Sequence, residues 1–99
     1  MALTEPQKRH LRRLGHALQP IVLIGKHGLT DSVAAEMRRA LDDHELVKIR
    51  ARVESRENRD AIFAELAALT SSEFVFRIGN VGLFYKKNNI LQKILLPDS

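Results

Sequence analysis

The stretch at residues 47–53 constrains the fold more than any other part of this chain. Its residues alternate between apolar and polar, which is the period of a β-strand that buries one side and exposes the other. The polar side carries three cations, Lys48, Arg50 and Arg52. A sheet covered by helices on both faces needs strands that are apolar on both sides. We therefore expect one face of the sheet to be open to water, at least locally, in a two-layer α/β sandwich.

The periodicities along the chain predict seven elements in the order α-β-α-β-α-β-β. The helices are expected to begin near Thr4, Thr30 and Ser55, which are residue types that cap helix N-termini. The first helix should extend to about Ala17 and the second to about His44. The predicted strands span residues 21–24, 47–53, 74–78 and 81–86, and the last two are joined by a turn at residues 79–80. Two strand–helix–strand crossovers followed by a hairpin predict a mixed sheet of four strands.

The first helix separates its leucines from its cations. Leu11, Leu14 and Leu18 fall on one side. The opposite side gathers the basic residues Lys8, Arg9, Arg12, Arg13 and His16. Helices that lie on membranes usually carry Trp, Phe or a wide leucine face, which this helix lacks. We expect the helix to dock on the core with its cations outward, covering the second side of the first strand, which is apolar on both sides.

The remaining core is predicted from apolar stripes. The second helix should point Val33, Met37, Ala40 and Leu41 inward, and the third helix should point Ile62, Phe63, Leu66 and Leu69 inward. The third strand places Phe74, Phe76 and Ile78 on one face, which predicts core positions rather than an aromatic platform for RNA bases. Tyr85 is expected either buried with a bonded hydroxyl or exposed beside the lysines that follow it.

Length and charge narrow the function classes. The 99 residues suffice for one domain, with a core at about residues 3–87 and a tail at 88–99 whose structure the pattern does not predict. There is no cysteine, no signal-peptide core and no run near the roughly 20 apolar residues that span a bilayer, so a cytoplasmic location is expected. Residues 1–30 hold five Lys and Arg against one acid, whereas the rest of the chain is balanced. Such one-sided basicity favours a polyanion, nucleic acid before a membrane, although a solubilising surface also explains it.

The loop at residues 25–28, with the sequence Gly-Lys-His-Gly, is the strongest candidate site. Either glycine alone could simply close a turn. However, the loop lies between a strand and a helix N-terminus, contains Lys26 and follows the basic helix in sequence. Glycines also let a phosphodiester backbone approach the main chain closely, as in the G-x-x-G loop of KH domains. Because Asp31 competes for the positive end of the helix, we assign the contact to the loop backbone and Lys26.

Four short motifs occur in the order of a known family: residues 24–30, 44–48, 78–79 and 85–86. They resemble the CRM domain (chloroplast RNA splicing and ribosome maturation), in its small stand-alone bacterial form, the YhbY type. The resemblance extends from Leu3 to Lys86. It implies a fold like the C-terminal domain of bacterial translation initiation factor 3 and association with ribosomal RNA in precursors of the large subunit. The family's RNA-contacting loop maps onto Gly25, Lys26, His27 and Gly28.

Other function classes find little support in the sequence. The acids are scattered, no serine has the context of a nucleophile elbow, and the glycine loop is too short for the phosphate loop of NTPases. His10 and His16 are six residues apart and do not share a helix face, so no metal site is expected. We therefore expect neither an enzyme nor a cofactor, nor a small-molecule substrate.

The sequence predicts a monomeric RNA-binding protein. The expected RNA-binding residues are the loop Gly25, Lys26, His27 and Gly28, the helix cations Lys8, Arg9, Arg12 and Arg13, and the strand cations Lys48, Arg50 and Arg52. The strand cations could equally be a solvated face. The alternative function is a protein-interaction factor, in which the basic helix meets acidic ribosomal or assembly proteins and the apolar tail supplies a docking strand.

Overall fold

The computed structural model describes residues 2–53 and 55–98 and contains the seven predicted elements in the predicted order. They are α1 (Glu5–Gly15), β1 (Pro20–Ile24), α2 (Asp31–His44), β2 (Leu46–Ala51), α3 (Arg56–Thr70), β3 (Glu73–Ile78) and β4 (Val81–Tyr85). The three predicted caps are confirmed: Thr4, Thr30 and Ser55 each accept a backbone N–H from the first helical turn. Thr4 also forms a capping box with Gln7.

The four strands form one mixed sheet in the order β1-β2-β4-β3. β1 runs parallel to β2, whereas β4 is antiparallel to both β2 and β3. Because β1 and β2 are parallel, the loop after β1 and the end of β2 lie at the same end of the sheet. The turn between β3 and β4 lies there too, since the Ala51 N–H donates to the carbonyl oxygen of Asn80 at 2.8 Å.

The helices α2 and α3 seal one face of the sheet, here called the closed face. Its core contains ten fully buried residues from both helices and three strands: Val22, Ile24, Met37, Leu41, Val47, Ile49, Ala51, Phe63, Leu66 and Phe84. Phe63 of α3 lies against Phe84 with ring centroids 5.6 Å apart. Gly82 of β4 leaves room for these rings, because a Cβ there would lie 3.0–3.1 Å from them. The prediction that Leu69 points into this core is wrong, as its side chain is exposed.

The other face, here called the second face, is only partly covered. α1 packs there on β2, β3 and β4, in a second core formed by Leu3, Leu11, Leu46, Val75, Leu83 and Tyr85. The helix approaches the sheet through Leu11 and Gly15, and a Cβ on Gly15 would lie 2.9 Å from Leu83 Cδ2. This close approach fixes α1 over the middle of the sheet.

Two predictions for α1 are therefore wrong. Leu14 and Leu18 do not point into the core but remain exposed, because the helix contacts the sheet through Gly15 and ends there. α1 also does not cover β1, and Ile21 and Leu23 of that strand are half exposed on the second face.

The third strand also differs from its prediction. The pairing of β3 with β4 shifts register between Phe74 and Phe76, which is a β-bulge. Phe74 consequently packs on Phe63 and Phe84 at the closed face, whereas Phe76 packs in the second core. The prediction that these two rings and Ile78 share one core face is therefore wrong, and Ile78 is exposed.

The tail, whose structure the sequence left open, is anchored by a buried glutamate. Glu45 adopts φ +60° directly after α2 and is fully buried. Its carboxylate accepts backbone N–H groups from Asn88, Lys93 and Ile94 at 2.5–2.7 Å. The tail then packs Ile94 and Leu96 against the second core.

Tyr85 is buried in the second core, and its hydroxyl has no hydrogen-bond partner among the described residues. Neither of its predicted states, buried with a bonded hydroxyl or exposed, is therefore found. Burial, reinforced by the nearby Glu45 carboxylate, raises the pKa of Tyr85 above its ordinary value near 10.

Candidate nucleic-acid interface

The loop at residues 25–28 is a tight turn with a bare backbone. The Gly28 N–H donates to the carbonyl oxygen of Gly25 at 3.0 Å, which leaves Lys26 and His27 at the tip. Gly28 has φ +76°, a conformation that side-chain-bearing residues rarely adopt. A Cβ at Gly25 or Gly28 would meet no atom within 4 Å, and both tip residues are exposed. The main chain of the loop is thus open to a large ligand.

The helix end beside this loop is already capped. Thr30 Oγ1 accepts the Val33 N–H at 3.2 Å, and Asp31 places a carboxylate in the first turn of α2. An acidic side chain at a helix N-terminus offsets the positive end of the helix dipole. The loop backbone and Lys26 are therefore better placed than the helix end to meet an anion.

Two of the cations predicted on the second strand lie next to the loop, although β2 ends at Ala51 and Arg52 follows it, so the predicted extension of this strand to residue 53 is wrong. The Arg52 N–H donates to the carbonyl oxygen of Ile24 at 2.8 Å, so Arg52 sits beside the residue that precedes Gly25. Arg50 pairs with Leu23 in the parallel ladder. Both arginine side chains are exposed and lie with Leu23 along one open depression on the second face. The loop and these arginines form a continuous surface.

The third strand cation is differently engaged. Lys48 is half-buried, and its ammonium donates to the carbonyl oxygen of Leu18 at 3.3 Å. This bond ties β2 to the segment that joins α1 to β1. Lys48 also lines a small depression of about 110 Å³ together with Arg12 and His16 of α1. The fold thus brings together cations from two predicted groups.

The α1 cations do not form one cluster. Arg12 lies over the Phe76 ring, with its Cζ 4.1 Å from the ring centroid, which is a cation–π contact. Lys8 pairs with Glu5 at 3.8 Å, an exposed ion pair of little energetic value. Arg9 and Arg13 are exposed on another side of the helix, where they line a groove with the tail residues Leu95, Leu96 and Pro97.

The structure also adds residues to the site that sequence reasoning missed. His16, Ile21, Leu23 and Ile78 all lie around the open part of the second face. The alternation of side chains along each strand could have placed Ile21, Leu23 and Ile78 on a face. Only the strand order, however, shows that β1 and β3 contribute to the same surface.

Comparison with known proteins identifies the family. The model of the CRS1 / YhbY (CRM) domain matches residues 3–86. This chain belongs to the CRM domain family. The match includes the loop, all four strands and all three helices of this CRM domain, so the predicted family is confirmed.

Similar proteins carry names that refer to RNA. A protein of Pseudomonas aeruginosa named probable RNA-binding protein is 43% identical over 88 residues, covering 89% of this CRM domain chain and 85% of the relative. A Haemophilus influenzae protein named RNA-binding protein is 36% identical, with 96% and 95% of the two chains covered.

A solved structure shares the architecture. The solution structure of a hypothetical Staphylococcus aureus protein, described as a candidate RNA-binding protein, matches with a TM-score of 0.85 and 31% identity. It covers 97% of this chain and 100% of its own. The single α/β domain with a four-stranded mixed sheet is therefore the fold of this family.

Neither a membrane-spanning helix nor a metal-ligand cluster is present among the described residues. Across 2–53 and 55–98, no helix is both long and apolar enough to cross a bilayer. In the same part of the chain, no three His, Asp or Glu side chains are grouped as a metal site requires.

Proposed function

We propose that this CRM domain binds RNA and seats one stretch of the sugar–phosphate backbone on the loop Gly25–Gly28. The observation that carries the proposal is the open main chain of the loop with Arg52 directly beside it. Because RNA binding depends strongly on neutralising phosphates, an exposed loop flanked by cations suits it. The names of the Pseudomonas aeruginosa and Haemophilus influenzae relatives support the same conclusion.

The cations have unequal roles in this proposal. Arg52 contacts the phosphates that follow the segment on the loop, and Arg50 adds positive charge beside it. Arg12 contacts RNA from the stacked position on Phe76, which holds its guanidinium in place. Lys48 adds charge near the surface but stays bonded to the main chain. Lys8, Arg9 and Arg13 attract the RNA from farther along α1 and contribute mainly to the association rate.

We further propose that the bound RNA is ribosomal RNA in precursors of the large subunit. In this role the domain is a monomer that assists assembly and needs no cofactor. The support is the resemblance of the loop and of residues 44–48 to the bacterial branch of the family. Crosslinking in cells followed by sequencing of the bound RNA tests it, and reads distributed evenly over unrelated transcripts contradict it.

A double change in the loop tests the RNA-binding proposal. Lys26→Asp with His27→Asp places two carboxylates where a phosphate is expected. We expect affinity for a structured ribosomal RNA fragment to fall at least about tenfold, because a cation and a close approach are both lost. The unchanged protein should neutralise about four to six phosphates. A plot of the logarithm of its association constant against the logarithm of salt concentration should then have a negative slope of roughly 0.7–0.9 for each phosphate contact. The variant should show a shallower slope.

A matched variant controls for net charge. Arg39→Asp with Ala64→Asp makes the same formal charge change on exposed positions of α2 and α3, away from the second face. We expect this variant to bind RNA within about twofold of the unchanged protein, because distant charges are screened in salt. Equal affinities for the loop variant and the control variant, with both folded, remove the loop from the proposal.

A protein-interaction factor remains the second candidate, and one observation favours it. The tail exposes Ile90, Leu91 and Leu95, with Ile90 97% exposed. Because the tail is an irregular segment rather than a strand, a partner would contact these side chains and not a strand edge. Co-sedimentation with ribosomal particles that survives nuclease digestion supports this second function, whereas loss of co-sedimentation supports RNA binding.

A further inference from the structure

One row of residues crosses all four strands and is left uncovered on the second face. Leu23 of β1 pairs with Arg50 of β2, Arg50 with Val81 of β4, and Val81 with Ile78 of β3. Residues paired in this way share one face of the sheet. At the usual spacing of strands, the row is about 14 Å long. We name these four residues the open row.

The open row is uncovered because of where α1 lies. The neighbouring row contains Lys48, Leu83 and Phe76, which pair with one another across β2, β4 and β3. α1 sits on that neighbouring row, with Gly15 on Leu83 and Arg12 on Phe76. The helix ends at Gly15, so no residue of α1 extends over the open row to bury it.

The open row is unusually apolar for a surface. Leu23 is 52% exposed and Ile78, at the other end of the row, is 64% exposed. Ile21, which lines the same depression as Leu23, is 50% exposed. Exposed aliphatic side chains that cluster within a polar surround mark a site of interaction more often than scattered ones do. A merely solvated sheet face would not be expected to expose three such side chains among its cations.

The charges around the open row point to a polyanion as its partner. The two depressions that adjoin it are lined by Arg12, His16, Lys48, Arg50 and Arg52, among the described residues. Among the residues that the structure describes, neither depression is lined by a carboxylate. An acidic ligand with flat, apolar parts fits this combination, and an RNA whose bases are unstacked has both properties.

We propose that the open row receives the unpaired bases of single-stranded or looped RNA, while the phosphates of the same segment lie on the loop and Arg52. This inference rests on the proposed RNA-binding function and specifies its ligand. Bases can pack on aliphatic side chains and on the plane of the Arg50 guanidinium. A continuous duplex keeps its bases stacked inside the helix, so it cannot place them on the row.

The test replaces the two most exposed aliphatic residues of the row. In Leu23→Thr with Ile78→Thr, the β-branched replacements suit edge strands but remove most of the apolar surface. We expect affinity for a mixed-sequence single-stranded RNA oligonucleotide to fall about tenfold, the effect of losing contacts to one or two bases. Affinity for a blunt duplex of the same sequence, and the salt concentration that elutes the protein from heparin, should not change.

The matched control is Ile90→Thr with Leu91→Thr, which removes exposed apolar surface from the tail. This variant should bind both RNAs as the unchanged protein does. A second measurement needs no variant: the unchanged protein should bind an abasic oligonucleotide of equal length about tenfold more weakly than its parent.

The outcomes separate this inference from the proposed function. If the Lys26→Asp, His27→Asp variant loses RNA binding while the open-row variant binds single-stranded RNA normally, the inference is overturned and the function stands. Equal binding of the abasic and parent oligonucleotides also overturns the inference. If neither double variant binds RNA more weakly than the unchanged protein, the proposed function itself fails.

Discussion

The two faces of the sheet use apolar residues in opposite ways. On the closed face, two helices bury a core of ten residues, and the rings of Phe63 and Phe84 in that core lie with centroids 5.6 Å apart. On the second face, one short helix and the tail cover only part of the sheet and leave Leu23 and Ile78 exposed. The comparison indicates that the closed face supplies most of the stability. The second face buries less apolar surface, and part of it is therefore accessible to a ligand.

The largest expected loss in the free energy of unfolding follows from a substitution on the closed face. Phe63→Ala should lower the free energy of unfolding by about 3–5 kcal/mol, because it removes a fully buried ring and leaves a cavity between α3 and β4. Urea denaturation measures the change. Leu23→Ala at the open row is the matched substitution on the second face and should cost less than about 1 kcal/mol. Similar losses in the free energy of unfolding for the two variants would contradict the conclusion that the closed face supplies most of the stability.

The second largest expected loss in the free energy of unfolding concerns the tail, which packs on the second face. Glu45→Gln replaces a buried carboxylate that accepts three N–H groups with an amide that has one acceptor oxygen. At least one N–H would face the amide nitrogen without a partner, so we expect a loss of about 3 kcal/mol in the free energy of unfolding. Hydrogen exchange should accelerate at Asn88, Lys93 and Ile94 before it does in the strands. Uniform acceleration throughout the domain would show that the tail is not a separate unit.

The smallest effect is at Tyr85 in the second core. Because its buried hydroxyl has no partner among the described residues, Tyr85→Phe should raise the free energy of unfolding at pH 7 by up to about 1 kcal/mol. Its raised pKa means that the folded state binds this proton more tightly than the unfolded state does. The stability from Tyr85 is therefore fully present below pH 10 and is lost as the pH rises above it.

Denaturation at several pH values checks this sign. The difference in stability between Tyr85→Phe and the unchanged protein should be constant up to about pH 10 and should then grow in favour of the variant. A difference that shrinks above pH 10 would mean that the folded protein stabilises the tyrosinate.

The order of elements and their caps could be predicted because they depend on local signals. Thr4, Thr30 and Ser55 cap their helices through side chains that reach only three residues along the chain. The exposed loop at Gly25–Gly28 was predictable for the same reason: two glycines between a strand and a cap have few alternatives. Its role in binding RNA stays a prediction.

What the sequence could not supply depends on contacts between distant residues. The bulge at Phe74 and Phe76 depends on the pairing with β4, and the position of α1 depends on Gly15 meeting Leu83. The anchoring of the tail joins Glu45 to residues 43 to 49 positions away. The open row required the strand order, which periodicity does not determine.

The glycine at position 15 has a consequence for how a long polymer can reach the sheet. Because α1 rests on Leu83 without an intervening side chain, the helix lies close to the sheet, beside the open row and not above it. No described residue covers the open row from the solvent side. The open row can therefore be reached from the side by an internal segment of a long polymer. No free end of the polymer has to pass through a closed opening.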